Sequence, residues 1–320
     1  AQASAACLCQ CDGAVLSVAG QCRGLTEVYA SRIMAGLAAG WFTAAAAYVS
    51  DVTSDADRAK GMGMLGAAFG VGFCIGPGLG AWAVGGDAPN YALPAYAAAG
   101  CAALGLVIAI LFVKEPARHS EDHIVRFATD VLRNNNISLL LVLHFTIHLV
   151  FTAMEGVFAI WAAAEFGLGA REVGYYLAFS GLITVLVQGG LVRRIVPIFG
   201  EAQVIIFAAG TLTATMLAIL IVDAPVMILL PMGLLAVGMG LHNPAMQSLL
   251  SQIAPKAMRG GTLGNAQSAQ SFARILGPAW GAAVFSAFGP DSPFIIGAVI
   301  FIGATIFAYY LARRFPKTAA

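Results

Sequence analysis

Long apolar runs alternate with short polar connections along nearly the whole chain. Nine runs stand out, at residues 27–49, 62–84, 93–113, 138–163, 173–192, 202–222, 226–249, 262–287 and 293–312. Each is of the length that crosses about 30 Å of hydrocarbon, which takes about 20 residues of α-helix. A spanning segment has to satisfy its own backbone polar groups, so unbroken runs of this kind predict helices. The short alternating strands of a β-barrel are a different pattern. Glycine and proline recur inside the runs. Lipid-embedded helices tolerate both, and small residues let two helices approach closely. The pattern therefore predicts an all-α integral membrane bundle with nine visible spans.

Composition removes the soluble alternative. Hydrophobic residues make up 59% of the 320 and charged residues 10%, with a mean hydropathy of +0.83. An ordinary soluble domain is about 25% charged. The 17 basic and 16 acidic residues nearly cancel, which argues against nucleic acid as a partner, since that needs a concentrated basic face. The basic residues are useful in another way. If the connection at 51–61 is cytoplasmic, alternate connections carry thirteen basic residues on that side, from Arg58 to Lys317. The other side (85–92, 164–172, 223–225 and 288–292) carries Arg171 alone. This asymmetry sets the orientation and places the C-terminus in the cytoplasm.

Residues 1–25 fit less well. They lack an initiator Met, a basic leader and a clean apolar span, and they hold Cys7, Cys9, Cys11 and Cys22. A metal or redox cluster is one reading, but no His accompanies the thiols and C-x-C-x-C is not a zinc spacing. The segment reads better as an atypical start, with no metal and no cofactor expected. Cys74 and Cys101 fall within apolar runs and read as small packing residues.

The longest polar interruption, 114–137, divides a remnant N-terminal bundle (26–113, three spans) from a C-terminal bundle (138–320, six spans). Within that interruption, Ile124, Phe127, Val131 and Leu132 mark an amphipathic stretch suited to the membrane surface. The halves echo one another. Gly76-Pro77-Gly78-Leu79-Gly80-Ala81 in the second run parallels Gly277-Pro278-Ala279-Trp280-Gly281-Ala282 in the eighth. Internal repeats of this kind are what transporters are built from. If the units are duplicates, twelve spans are expected and three lie ahead of Arg32.

On these residues the chain resembles the major facilitator superfamily, in particular its drug–proton antiporters and tetracycline-efflux-like members. Arg32-Ile-Met-Ala-Gly36 is similar to the R-x-x-x-G signature of that family's fourth helix. Gly72, Gly76, Pro77 and Gly80 are similar to the antiporter signature of its fifth. The connection from Asp51 to Arg58 resembles the family's loop between them, and Arg193 with Arg194 its counterpart in the second half, where Glu201-Ala202-Gln203 replaces the usual basic residues. The resemblance implies a helical bundle of major facilitator type in a cell (inner) membrane. It implies a transport cycle of alternating access, and makes Arg32 a candidate for proton coupling.

Polar groups inside spans are the candidates for chemistry, because a charge in hydrocarbon is costly and faces a cavity or a partner. His144, His148, Phe151 and Glu155 fall on one helical stripe, with Thr152 beside it. Glu155 and His148 are proton-coupling candidates, and His144 lines the same stripe. Gln267, Ser271 and Arg274 form a second stripe ending at Pro278, with Arg274 near mid-membrane. Gln188, His242, Asn243 and Gln247 are further cavity candidates. The bland reading assigns all of these to helix–helix hydrogen bonds or a structural ion pair.

The leading expectation is a secondary transporter exporting drug-like or amphipathic small molecules, driven by protons or another coupling ion. A facilitator or uptake carrier for sugars or small acids is the nearest alternative. A non-transporting truncated membrane protein is an alternative of another class. The chain carries no G-x-S-x-G, H-E-x-x-H or G-x-x-x-x-G-K-[ST] motif, so an enzyme or a nucleotide-driven pump is not expected.

Overall fold

A computed structural model describes residues 25–38, 45, 48–49, 52, 58–85, 90–112, 133–255 and 258–314. The Cys-rich start, Asp51 and the amphipathic stretch at 124–132 lie outside them. The described helices are α1 (Leu25–Ala38), α2 (Arg58–Val84), α3 (Ala92–Phe112), α4 (Asn135–Phe166), α5 (Ala170–Leu186), α6 (Val192–Phe199), α7 (Glu201–Ile219), α8 (Leu229–Ile253), α9 (Arg259–Phe288) and α10 (Ser292–Ala312). A π-helical turn, Val187–Leu191, joins α5 to α6 in one rod, so the described helices fall on all nine predicted runs.

Among the described residues, six rods are long and apolar enough to span a membrane: α3, α4, α5–α6, α7, α8 with the turn Pro225–Ile228 that leads into it, and α10. Helix α2 carries an apolar stretch through Gly70–Val84. Helix α9 has the length, at 30 residues, but its N-terminal half carries Thr262, Asn265, Gln267, Ser268, Gln270, Ser271 and Arg274. That half is the most polar stretch of any long helix in the C-terminal part of the chain.

The chain forms two compact units, residues 1–122 and 123–320. In the first, α2 and α3 pack on each other. Among its described residues Trp82, Leu104 and Leu111 are exposed, while Ala81, Ala83 and Val84 are buried at the end of α2. Cys101 is exposed on α3 and is not the packing residue the sequence suggested.

The second unit has a full core. Helix α10 shows the logic of a lipid-embedded rod. Phe294, Ala298, Phe301, Ala304 and Ala308 are buried on one side, while Ile295, Val299, Ile302 and Ile306 are exposed on the other. Both faces are apolar because the outer one meets hydrocarbon and not water. Apolar contact alone gives little reason for such helices to associate in lipid, so packing shape and interhelical hydrogen bonds have to hold them. Trp161 does both. It stacks edge-on against Phe294 at 5.4 Å, and its indole N–H donates to Asp291 at 3.2 Å.

Local signals fix the helix ends. Asn134 caps α4 by accepting from the N–H of Asn136 at 3.1 Å. Gly167, with φ of 65°, ends it in a left-handed turn whose N–H bonds to Ala163. Gly200, with φ of 80°, makes the sharp turn between α6 and α7.

Candidate functional site

The tightest crossing in the second unit joins α4 to α9, and glycines make it possible. A Cβ placed on Gly277 would strike the Thr152 hydroxyl and lie 2.8 Å from the Leu149 carbonyl oxygen. One on Gly281 would lie 2.8 Å from the Ala153 carbonyl oxygen, and one on Gly156 3.0 Å from Pro278 Cβ. Gly277-x-x-x-Gly281 is thus a small-x-x-x-small face on which α4 rests directly. The Thr152 hydroxyl lies 3.0 Å from the Ala273 carbonyl across the crossing and 2.8 Å from the His148 carbonyl of its own helix, and it divides its one proton between them. Pro278 has no N–H, so the Arg274 carbonyl one turn earlier has no intrahelical donor.

This crossing sets where the polar residues go. On α4 the predicted stripe divides. His144 and His148 are buried at 2% and 1% exposure, Phe151 is half-buried, and Glu155 is exposed. All four do share a helical face by spacing, but neighbouring helices cover only its first turns. On α9 the stripe stays together: Gln267, Ser271 and Arg274 are all exposed, on the face turned away from buried Ala266, Ala273 and Gly277. The Arg274 guanidinium lies within electrostatic reach of both Glu155 and His148, which brings the two sequence stripes into one neighbourhood.

Helix α8 supplies the third contribution. His242 is fully buried, and its Nε2 lies 3.1 Å from His144 Nδ1. The His148 Nδ1 donates to the His144 carbonyl at 3.0 Å, while His148 Nε2 and His242 Nδ1 have no partner. The half-buried Asn243 amide lies beside His148. Each of the three rings offers a nitrogen within 4.8 Å of the others, a geometry that could hold a metal ion. The sequence singled out all three histidines but did not show that they converge. Helix α8 reaches its neighbours through glycines as well: a Cβ on Gly238 would lie 2.7 Å from Leu212 Cγ on α7, and one on Gly240 3.0 Å from Val187 Cγ1.

The other candidates scatter. Gln188 is half-buried within the π turn, a local irregularity often found at functional positions. Gln247 is exposed on α8, Arg193 and Arg194 are exposed on α6, and Arg32 is exposed on α1 in the other unit. Gly72, Gly76 and Gly80 lie on α2 in the other unit. A Cβ on any of them meets nothing within 4 Å among the described residues. Sequence reasoning missed Glu201, which accepts from Ser248 at 2.9 Å and from Gln252, tying the start of α7 to the end of α8. Its only signal was an acidic residue where basic ones were anticipated.

The sequence profile of the Major Facilitator Superfamily matches residues 13–278 and, overlapping, 198–320. Multidrug resistance protein 1 of Bacillus subtilis (strain 168) is 27% identical over 265 residues, 81% of this chain and 66% of that protein. Tetracycline resistance protein, class C, of Escherichia coli is 28% identical over 290 residues, 86% of this chain and 71% of that one. The fold is that of the human organic anion transporter MFSD10, with a TM-score of 0.71 and 22% identity over 95% of this chain and 76% of that one. A bacterial homolog to the human lysosomal transporter Spinster, inward-facing and occupied, matches with a TM-score of 0.74 at 14% identity, over 98% of this chain and 82% of that one. The chain therefore spans about two thirds of the length of the first of these relatives.

Proposed function

We propose, from the premise that this chain belongs to the major facilitator superfamily and is a multi-pass membrane protein, that it serves in a secondary transporter exporting drug-like or amphipathic small molecules. The observation that carries the reading is the pairing of that family match with relatives named for multidrug and tetracycline resistance. The family is one of transporters and not of enzymes. The cell membrane is the proposed location, with the C-terminus cytoplasmic. That orientation rests on thirteen basic residues on one side against Arg171 on the other.

In this reading the exposed polar face of α9 and the carboxyl group of Glu155 form the working surface. Glu155 lies about 16 Å from the C-terminal end of α4, counting 1.5 Å per residue, so it lies well inside the span. Arg274, within electrostatic reach, is its counter-charge. Protonating Glu155 removes that attraction, and an intramembrane carboxyl with a charged neighbour is the arrangement through which a proton can bias two conformations. Gln267 and Ser271 offer neutral hydrogen-bonding groups beside the pair and are proposed to contact substrate.

The test is transport by a full-length version, with the three spans expected ahead of Arg32 present, in proteoliposomes under an imposed pH gradient, with ethidium and tetracycline as probes. The parent should accumulate at least one probe against its gradient. Glu155→Gln should still bind the probe and equilibrate it but lose the uphill component, and Arg274→Gln should do the same. Uphill accumulation by Glu155→Gln equal to the parent would remove Glu155 from the mechanism. No gradient-driven flux of either probe by the parent would overturn the reading itself.

A further inference from the structure

We infer that His144, His148 and His242 form a buried site for a single transition-metal ion of the zinc type, which clamps α4 to α8. This goes beyond the transport reading and does not depend on it.

The donor set comes first. Three neutral imidazoles with no carboxylate or thiolate among them suit zinc, copper, nickel or cobalt, and not magnesium or calcium, which take oxygen ligands. His144 and His148 stand four apart on α4, and such i, i+4 histidines point from one helical face toward a common ion. His242 closes the set from α8, so that ligands arrive from two helices.

Distances agree with such a set. Nitrogens bound at about 2.0–2.1 Å around a tetrahedral ion lie about 3.3 Å apart. His144 Nδ1 and His242 Nε2 are already 3.1 Å apart, and one nitrogen from each of the three rings falls within a 4.8 Å envelope. Tilting one ring closes the remaining gap.

The hydrogen bonding supports it too. The His144 carbonyl can only accept, so the bond from His148 places that ring's proton on Nδ1 and leaves a lone pair on Nε2. A ligand histidine held by its other ring nitrogen on a backbone carbonyl is the usual supporting arrangement at metal sites. That same Nε2 is buried and makes no hydrogen bond, with the Asn243 amide beside the ring. Unpartnered buried nitrogens cost free energy unless something occupies the site. Coordination through His144 Nδ1, His148 Nε2 and His242 Nε2 leaves one proton on the other nitrogen of each ring. Binding therefore needs only a tautomer change and no net proton loss.

Burial identifies the kind of site. The rings are 0–2% exposed, so the ion is resident and structural and is not passing cargo.

The experiment uses the full chain with Cys7, Cys9, Cys11 and Cys22 changed to Ser, so that thiolates do not compete. Titration with Co2+ should give the intense visible bands of a tetrahedral ion without sulfur-to-metal absorption. The bands should saturate at one ion per chain, and Zn2+ should displace them. His242→Gln and His148→Gln should abolish them, while changing both remaining histidines, His119 and His123, to Ala should leave them intact. Zn2+ should also raise the unfolding temperature of the parent and of the His119/His123 variant, but not of the His242 or His148 variants. Two outcomes would overturn the site: no tetrahedral spectrum in the folded parent, or an unchanged spectrum in His242→Gln with its helical circular dichroism intact.

Discussion

Two segments of this chain share almost the same letters and do different things. Gly76-Pro77-Gly78-Leu79-Gly80 on α2 and Gly277-Pro278-Ala279-Trp280-Gly281 on α9 each place a proline inside a helix with glycines one turn apart. On α9, both Gly277 and Gly281 are buried, and α4 lies so close that a single methyl group would meet backbone atoms. On α2, Gly76 is exposed and Gly80 half-buried, and their surroundings among the described residues are open. A glycine pattern therefore gives permission for close approach, and the approach itself needs a helix opposite. The α9 copy has one in α4.

Substitutions that add one carbon probe this difference directly. Gly277→Ala should be the most damaging. Its new Cβ meets the Thr152 hydroxyl, the Leu149 carbonyl and the Ala153 amide together, and backbone cannot rotate aside. A loss of about 3 kcal/mol or more is expected, at the upper end for overpacking, and would show as a large drop in the unfolding temperature of the detergent-solubilised protein. Gly281→Ala should follow at about 2–3 kcal/mol, because its close contacts are all with Ala153. Were both tolerated at the parent's unfolding temperature, the α4–α9 crossing described here would be wrong.

Thr152→Val keeps the volume of the crossing but removes the hydroxyl that reaches Ala273. About 1 kcal/mol should be lost, the usual net value of one hydrogen bond. Measured in a Gly277→Ala background, the same change should cost less, since the two residues touch and the larger lesion has already parted the helices. Additive losses would show that Thr152 acts only within its own helix. Gly76→Ala should have the smallest effect and the opposite sign. With nothing within 4 Å of its Cβ position among the described residues, the substitution gains only helix propensity, up to about 1 kcal/mol. A clear destabilisation there would show that α2 has a close partner after all, and the comparison between the two segments would collapse.

The sequence alone determined the rods. Runs at 138–163, 202–222 and 293–312 became helices at Asn135–Phe166, Glu201–Ile219 and Ser292–Ala312. A helix in lipid satisfies its backbone internally, so its existence depends on local residues that can be read in order. The common face of Gln267, Ser271 and Arg274 was legible for the same reason, since helical periodicity is a property of one segment. Only the tertiary structure decided what covers each face. His144 and Glu155 share a stripe by periodicity, yet one is buried and the other exposed. His242 meets His144 across 98 residues, Thr152 meets Ala273 across 121, and Glu201 meets Ser248 across 47. No period connects such pairs. They follow from where small residues let particular helices touch, and in a bilayer, where apolar surface alone selects no partner, that choice belongs to the shapes of the helices opposite.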